Sequence, residues 1–139
     1  MSDTGVKFDS IEDAIEAIRR GEMVVVVDDD DRENEGDLIM AASKATPEAV
    51  AFMIRHTSGI LCAPLFEDHA TKLHLDPMVA RNDAPMSTAF TVSIDYKQGL
   101  TTGISAEERA ATVQALTNSN VSASDFVRPG HIFPLVARQ

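Results

Sequence analysis

Seven carboxylates fall within ten consecutive residues, Asp28-Asp29-Asp30-Asp31-Arg32-Glu33-Asn34-Glu35-Gly36-Asp37, directly after the apolar run Val24-Val25-Val26-Val27. Two like charges about 4 Å apart repel by roughly 1 kcal/mol in water and about 4 kcal/mol near a protein surface. Such a segment spreads into solvent, takes up protons, or holds a cation. A solvated turn is the plainest account of an aspartate run. A calcium loop of the EF-hand kind is excluded. Asp31, Glu33, Glu35 and Gly36 imitate its first half, but the twelfth position counted from Asp31 is Ala42, where a bidentate glutamate is required. The third reading is a Mg²⁺-assisted active site. Magnesium takes few carboxylates, keeps waters and borrows substrate oxygens. Glu33, Glu35 and Asp37 would divide that work, projecting to one side of an extended segment. Arg32 alternates with them and is available to a phosphate or hydroxyl. The end of a strand in an open α/β sheet is also where ligands sit.

Three further places carry chemistry-bearing residues. Thr101-Thr102-Gly103 leads into a helix start at Ser105, where free backbone N–H groups and the helix dipole make an anion site. An ordinary capped helix start is the plainer reading of the same motif. Arg128-Pro129-Gly130-His131 sets an imidazole after a rigid turn, and histidine is the side chain best suited to proton transfer near neutral pH. Cys62 sits in an apolar stretch, as an inert buried thiol or a strand-end thiol facing a site. His56, His69 and His74 lie in helical stretches and read as surface or packing residues.

The elements that must position these groups follow from periodicity. Ser10 caps a helix to Arg20 with Ile11, Ala14, Ile15 and Ile18 on one face and Gly21 as its stop. Met23–Val27 reads as a buried strand, the acidic run as a loop, and Leu38–Ala42 as a second strand. Thr46-Pro47-Glu48 opens a helix with Val50, Met53, Ile54 and Thr57 as its stripe, ended by Gly59. Ile60–Leu65 is a strand and Asp68–Leu75 a short helix. Asp76–Ser87, with Pro77, Asn82, Asp83 and Pro85, is a long loop and a candidate lid. Phe90, Val92 and Ile94 alternate as a half-buried strand. Ser105 and Glu108 form a capping box for a helix to Leu116. Strands alternating with helices predict an α/β fold in one domain.

Composition narrows the class. The formal charge is -10, and the decapeptide supplies -6 of it (seven acids less Arg32), leaving -4 for the other 129 residues. The acidity is local, which favours a site. With no basic face, one Tyr and no Trp, nucleic-acid binding is not expected. No apolar stretch has the length of a bilayer span. The N-terminus lacks a signal-peptide core, and a single cysteine fits a reducing cytosol, so a cytoplasmic location is expected.

Asp30–Leu38 read as Asp-Asp-Arg-Glu-Asn-Glu-Gly-Asp-Leu. With His56-Thr57-Ser58-Gly59-Ile60-Leu61-Cys62, Phe90-Thr91-Val92, Thr101-Thr102-Gly103-Ile104-Ser105 and Arg128-Pro129-Gly130-His131-Ile132-Phe133-Pro134-Leu135, the chain resembles the 3,4-dihydroxy-2-butanone 4-phosphate synthases of the riboflavin pathway. The likeness runs from Phe8 to Arg138 in order and spacing. It implies an α/β fold with a mixed sheet and packed helices, a homodimer, and a requirement for Mg²⁺ or Mn²⁺. The implied reaction enolises D-ribulose 5-phosphate, rearranges its skeleton and expels one carbon as formate. By position Glu33 matches the metal ligand. Arg32, Glu33 and Asp37 match the substrate-binding segment, and His131 a residue essential for catalysis. Glu35 and Cys62 match site residues with catalytic parts, and Thr102 and Asp28 residues lining the substrate.

The chemistry agrees with that likeness. Deprotonating a carbon beside a carbonyl needs a base, for which Glu35, Asp37 and His131 are available, and a divalent ion to stabilise the charge that develops. Arg32 and the helix start at Thr102–Ser105 are the phosphate candidates. The family pattern continues with Arg-x-Gly-His-Thr-Glu-Ala and a later glutamate. The chain given ends at Gln139 before either, so residues 1–139 are expected to be such a domain without its C-terminal part, an incomplete copy of the polypeptide. The competing expectation is a non-catalytic remnant of the same fold that binds a divalent metal or sugar phosphate without turnover.

Overall fold

The computed structural model describes residue 5, residues 7–28 and residues 35–138. The chain divides into two compact units, one ending at Lys44 and the other beginning at Ala45.

In the first unit Ser10 starts helix α1 (Ile11–Arg19), its hydroxyl accepting from the Asp13 N–H at 3.1 Å. Gly21 ends it. At φ +84° it turns the chain so that its own N–H reaches the Ile18 carbonyl and the Glu22 N–H reaches that of Ala17, which satisfies two carbonyls a helix end leaves open. Strand β1 (Val24–Val27) pairs antiparallel with β2 (Gly36–Ile39), Val27 opposite Gly36 and Val24 opposite Ile39. The two strands flank the acidic run, whose residues 29–34, expected as a loop, lie outside the described residues. β2 begins two residues before the expected strand because Gly36 and Asp37 complete the ladder with Val27 and Val26.

Two expectations for this unit need correction. The tetravaline run is a strand but not a buried one: Val25 is 67 % exposed. The apolar face of α1 forms as predicted, yet Ile15 is 56 % exposed and no residue of the helix is buried. A two-stranded ribbon has no second strand layer of its own to cover either face.

In the second unit Thr46 caps α2 (Pro47–His56), with Pro47 at its first position and the Thr46 hydroxyl accepting from Ala49 at 3.0 Å. The stop is Thr57, not Gly59. Thr57 turns to extended backbone and its hydroxyl donates to the Met53 carbonyl at 2.7 Å. Of the expected stripe only Val50 is fully buried, and Ile54 is exposed. α2 packs on α4 (Ala106–Ala115), and the Gln114 amide at the far end of α4 donates to the Ala45 carbonyl.

Strand β3 (Cys62–Leu65) and helix α3 (Glu67–Lys72) follow α2, and β4 (Ile94–Tyr96) precedes α4. The last strand, β5 (Phe126–Val136), is central: β3 runs parallel to it on one side and β4 antiparallel on the other. The α/β fold with a mixed sheet is as expected. Its core gathers Leu73, Ile94, Leu116, Phe126 and Ile132 around Ala63, Ala70 and Leu75.

The eleven residues of β5 are the main departure from expectation, since Pro129 and Pro134 argue against a central strand. Pro134 is tolerated because its missing N–H falls on the side where β5 meets only the isolated bridge at Phe90. Pro129 lies in a bulge, described below. Phe90 and Thr91 make isolated bridges only, so the half-buried strand expected from residue 90 begins at Ile94. Residues 76–87 form the expected loop, tied down by the Asn82 amide on the Thr88 carbonyl and by Arg138 on the carbonyl of Ser87.

Candidate active site

A break in the sheet ladder sets the position of His131. Ile94 pairs with Ile132, but the next residue, Asp95, pairs with Val127, so residues 128–131 stand out of β5 as a bulge. A bulge re-aims side chains and frees backbone groups from the ladder. Two of those groups find side chains on the β4 side. Gly130 N–H donates to Ser93 Oγ at 3.1 Å and His131 N–H to Asp95 Oδ1 at 2.8 Å. The Arg128–Pro129 bond inside the bulge is cis. Gly130 is obligatory here, because a Cβ would sit 2.0 Å from the Ile94 carbonyl carbon. Arg128 is structural: its guanidinium donates to the Leu73 carbonyl at 2.6 Å and to that of Ala123 at 3.3 Å.

Asp95 then makes a second contact. Its Oδ2 lies 2.9 Å from His131 Nδ1, with the carboxylate side chain 5 % exposed and the imidazole 37 % exposed. A carboxylate only accepts, so the proton is assigned to Nδ1 and the lone pair of a neutral ring to Nε2. The arrangement is an oriented imidazole with one face open, the geometry of a general base. His131 was legible in the sequence, but as a residue after a rigid turn rather than one inside a strand bulge. Asp95 was missed; its only sequence signal is an acid at the end of the Phe90–Ile94 alternation.

The Thr101–Gly103 turn packs on this pair. Gly103 is buried at φ +82°, and a Cβ there would fall 2.1 Å from Asp95 Oδ2 and 2.9 Å from His131 Nδ1. Only glycine permits that approach. Thr102 beside it is exposed.

The turn follows the plainer of its two readings, a capped helix start, rather than an open anion site. Glu108 Oε2 already accepts from Thr101 N–H at 2.7 Å and Gly103 N–H at 3.0 Å, and Oε1 from the hydroxyls of Thr101 at 2.8 Å and Ser105 at 3.1 Å. The anion at this turn is the protein's own carboxylate. The backbone N–H of Thr101, then its hydroxyl, hold Glu108 below the ordinary carboxylate range; desolvation opposes them, and Gly103 and Ser105 add to the lowering. Half of the expected capping box is present, since Ser105 Oγ accepts from Glu108 N–H at 3.1 Å.

Cys62 is exposed rather than an inert buried thiol, with Sγ 3.9 Å from the Ile60 carbonyl oxygen. It pairs with Phe133 in the β3–β5 register. Phe133 lies two positions beyond His131 along β5. The second unit thus holds three linked features, His131, Asp95 and the Thr101–Gly103 turn, with Cys62 on the strand beside β5.

In the first unit the hairpin neck brings Asp28 and Glu35 together. Glu35 N–H donates to Asp28 Oδ1 at 3.3 Å and Asp28 N–H to the Glu35 carbonyl at 3.5 Å. Asp37 follows in β2, exposed and opposite Val26. Arg32 and Glu33, the substrate and metal expectations, lie outside the described residues. Among the described residues no three His, Cys, Asp or Glu side chains gather as a metal cluster. Asp28, Glu35 and Asp37 are hard oxygen donors, and magnesium binds through one or two carboxylates while water and substrate fill its other positions. The donor chemistry fits that ion. No helix among the described residues is long and apolar enough to cross a membrane.

The second unit is thus a mixed α/β fold that sets a half-exposed histidine against a buried aspartate. The family model for 3,4-dihydroxy-2-butanone 4-phosphate synthase matches residues 12–139. The riboflavin biosynthesis protein RibBA of Rhodococcus erythropolis is 57% identical over 133 residues, spanning 96% of this chain and 31% of the relative. A 3,4-dihydroxy-2-butanone 4-phosphate synthase of Agrobacterium fabrum is 56% identical over 127 residues, spanning 91% of this chain and 60% of the relative. Among solved structures, a 3,4-dihydroxy-2-butanone 4-phosphate synthase in complex with two magnesium ions superposes with a TM-score of 0.92 at 51% identity, over 94% of this chain and 61% of that one. The chain spans less than two thirds of the length of each of these relatives. It belongs to the 3,4-dihydroxy-2-butanone 4-phosphate synthase family.

Proposed function

We propose that this chain carries catalytic residues of a Mg²⁺-dependent lyase that converts D-ribulose 5-phosphate to 3,4-dihydroxy-2-butanone 4-phosphate and formate in riboflavin biosynthesis. Family membership supports the reaction class, and the Asp95–His131 pair is the observation that carries the mechanism. His131 Nε2 takes the proton from carbon beside the substrate carbonyl, and Asp95 holds the ring in the tautomer that leaves Nε2 open. Glu35 and Asp37 are the further acid–base groups. A divalent ion, when bound, stabilises developing negative charge on the substrate oxygens, and Glu33 with Glu35 would hold it. Arg32, Asp37 and Asp28 bind substrate, as does Thr102 through its exposed hydroxyl. Cys62, exposed on the strand next to β5, lines the site as well. Manganese is an alternative ion of similar oxygen-seeking chemistry. The assembly expected from the family likeness is a homodimer, which sedimentation at micromolar concentration would read as twice the chain mass.

A coupled formate assay on the intact polypeptide tests the reading. Ribulose 5-phosphate should yield formate with Mg²⁺, none after chelation, and none from Glu33→Ala. Calorimetric binding of metal and sugar phosphate without formate would make the protein a binding module instead. Formate release from Glu33→Ala at the wild-type rate would overturn the metal assignment.

A further inference from the structure

We propose that Glu108 is a positioning residue for His131, clamping the Thr101–Gly103 turn so that Gly103 backs the Asp95–His131 pair. The inference rests on the reading of His131 as the proton-transfer group. An ordinary capping glutamate returns its carboxylate to the N–H of its own helix cap. Glu108 spends both oxygens elsewhere, on two backbone amides and two hydroxyls between Thr101 and Ser105. The carboxylate serves the turn. Arg109 adds a second tie from the same helix, its Nε donating to the Ile104 carbonyl at 2.8 Å.

The same turn sets its Gly103 surface against Asp95 Oδ2 and His131 Nδ1. Three bonds from Thr101 and Gly103 to Glu108, together with the close packing of Gly103 on the pair, wedge the turn in place. Without the clamp, the Thr101 and Gly103 amides must find other acceptors, and water is the only abundant one. The turn then leaves the pair, Asp95 is wetted, and the imidazole gains room to swing away from its productive angle. The pair itself is untouched in sequence, so the effect is one of position. A lost orientation of this kind costs about tenfold to a hundredfold in rate.

The test uses the intact polypeptide with ¹⁵N-labelled histidine, as wild type, Glu108→Gln, Glu108→Ala and the neighbouring control Glu107→Ala. Both Glu108 variants should shift or broaden the His131 imidazole resonances and lower kcat about tenfold to a hundredfold, while the control keeps wild-type values in both. If Glu108→Ala does not fold, Glu108→Gln, nearly equal in size, carries the same two readouts. Wild-type His131 resonances in folded Glu108→Gln protein overturn the inference, as does wild-type kcat. Full activity in His131→Ala refutes the underlying catalytic reading instead, and does so whichever way the Glu108 spectra fall.

Discussion

Asp95 holds His131 at two points: Oδ1 accepts from its main-chain N–H at 2.8 Å, and Oδ2 lies 2.9 Å from imidazole Nδ1. One contact fixes the strand bulge and the other fixes the ring. A single carboxylate thus couples the backbone path of β5 to the direction in which Nε2 presents its lone pair.

Asp95→Asn separates those two duties. The amide oxygen can still accept from the His131 N–H, so the fold should survive. Its NH₂ group then faces Nδ1, which favours the tautomer with the proton on Nε2 and removes the base. We expect kcat to fall by about 10²-fold to 10⁴-fold, with thermal stability changed far less than activity. Steady-state kinetics beside a melting curve checks both.

Two glycines with similar backbone angles should respond differently to a methyl group. Gly103 and Gly99 have φ of +82° and +74°, but an added Cβ meets Asp95 and His131 at Gly103 and nothing within 4 Å at Gly99. Gly99→Ala should cost about 1 kcal/mol, from left-handed strain alone. Gly103→Ala adds a clash in a packed site and should cost roughly 2–4 kcal/mol, with activity lost. Urea unfolding at neutral pH measures the difference.

The Glu108 clamp is pH-dependent, and its sign follows from the hydrogen bonds to Thr101, Gly103 and Ser105. They lower the folded carboxyl below its ordinary value of 4.5. The clamp's contribution is complete above that ordinary value and is lost as pH falls through the lowered one. Exchange of the Thr101 and Gly103 amides should quicken, relative to the intrinsic rate, across that acid window. In Glu108→Gln the protection should be weaker at neutral pH and flat through the same window.

Much of the fold was legible because it is local. The caps at Ser10, Thr46 and Ser105 each rest on a hydroxyl and an N–H three residues on, and Gly21 ends α1 through its own positive φ. The acidic run and His131 stood out by residue type and by likeness to a family. The missed features depend on distant pairing. Asp95 and His131 are 36 positions apart in the chain and meet only through the β4–β5 register and its bulge. No two-residue alternation encodes a four-residue detour, and the two prolines of β5 pointed away from a strand. Glu108 was recognised for its helix but not for the turn, since a capping motif does not tell which N–H its carboxylate will choose. The exposure of Val25 and Ile15 was hidden because apolar periodicity reports which face seeks cover, not whether the described residues supply it.

The central claim, that His131 removes a proton from substrate carbon, is tested most directly by isotope exchange. Intact protein with Mg²⁺ and ribulose 5-phosphate in D₂O should introduce deuterium at carbon beside the carbonyl, read by NMR. The account predicts incorporation with wild type and a loss of about 10²-fold or more with folded His131→Ala. Incorporation at the wild-type rate in that variant would contradict it.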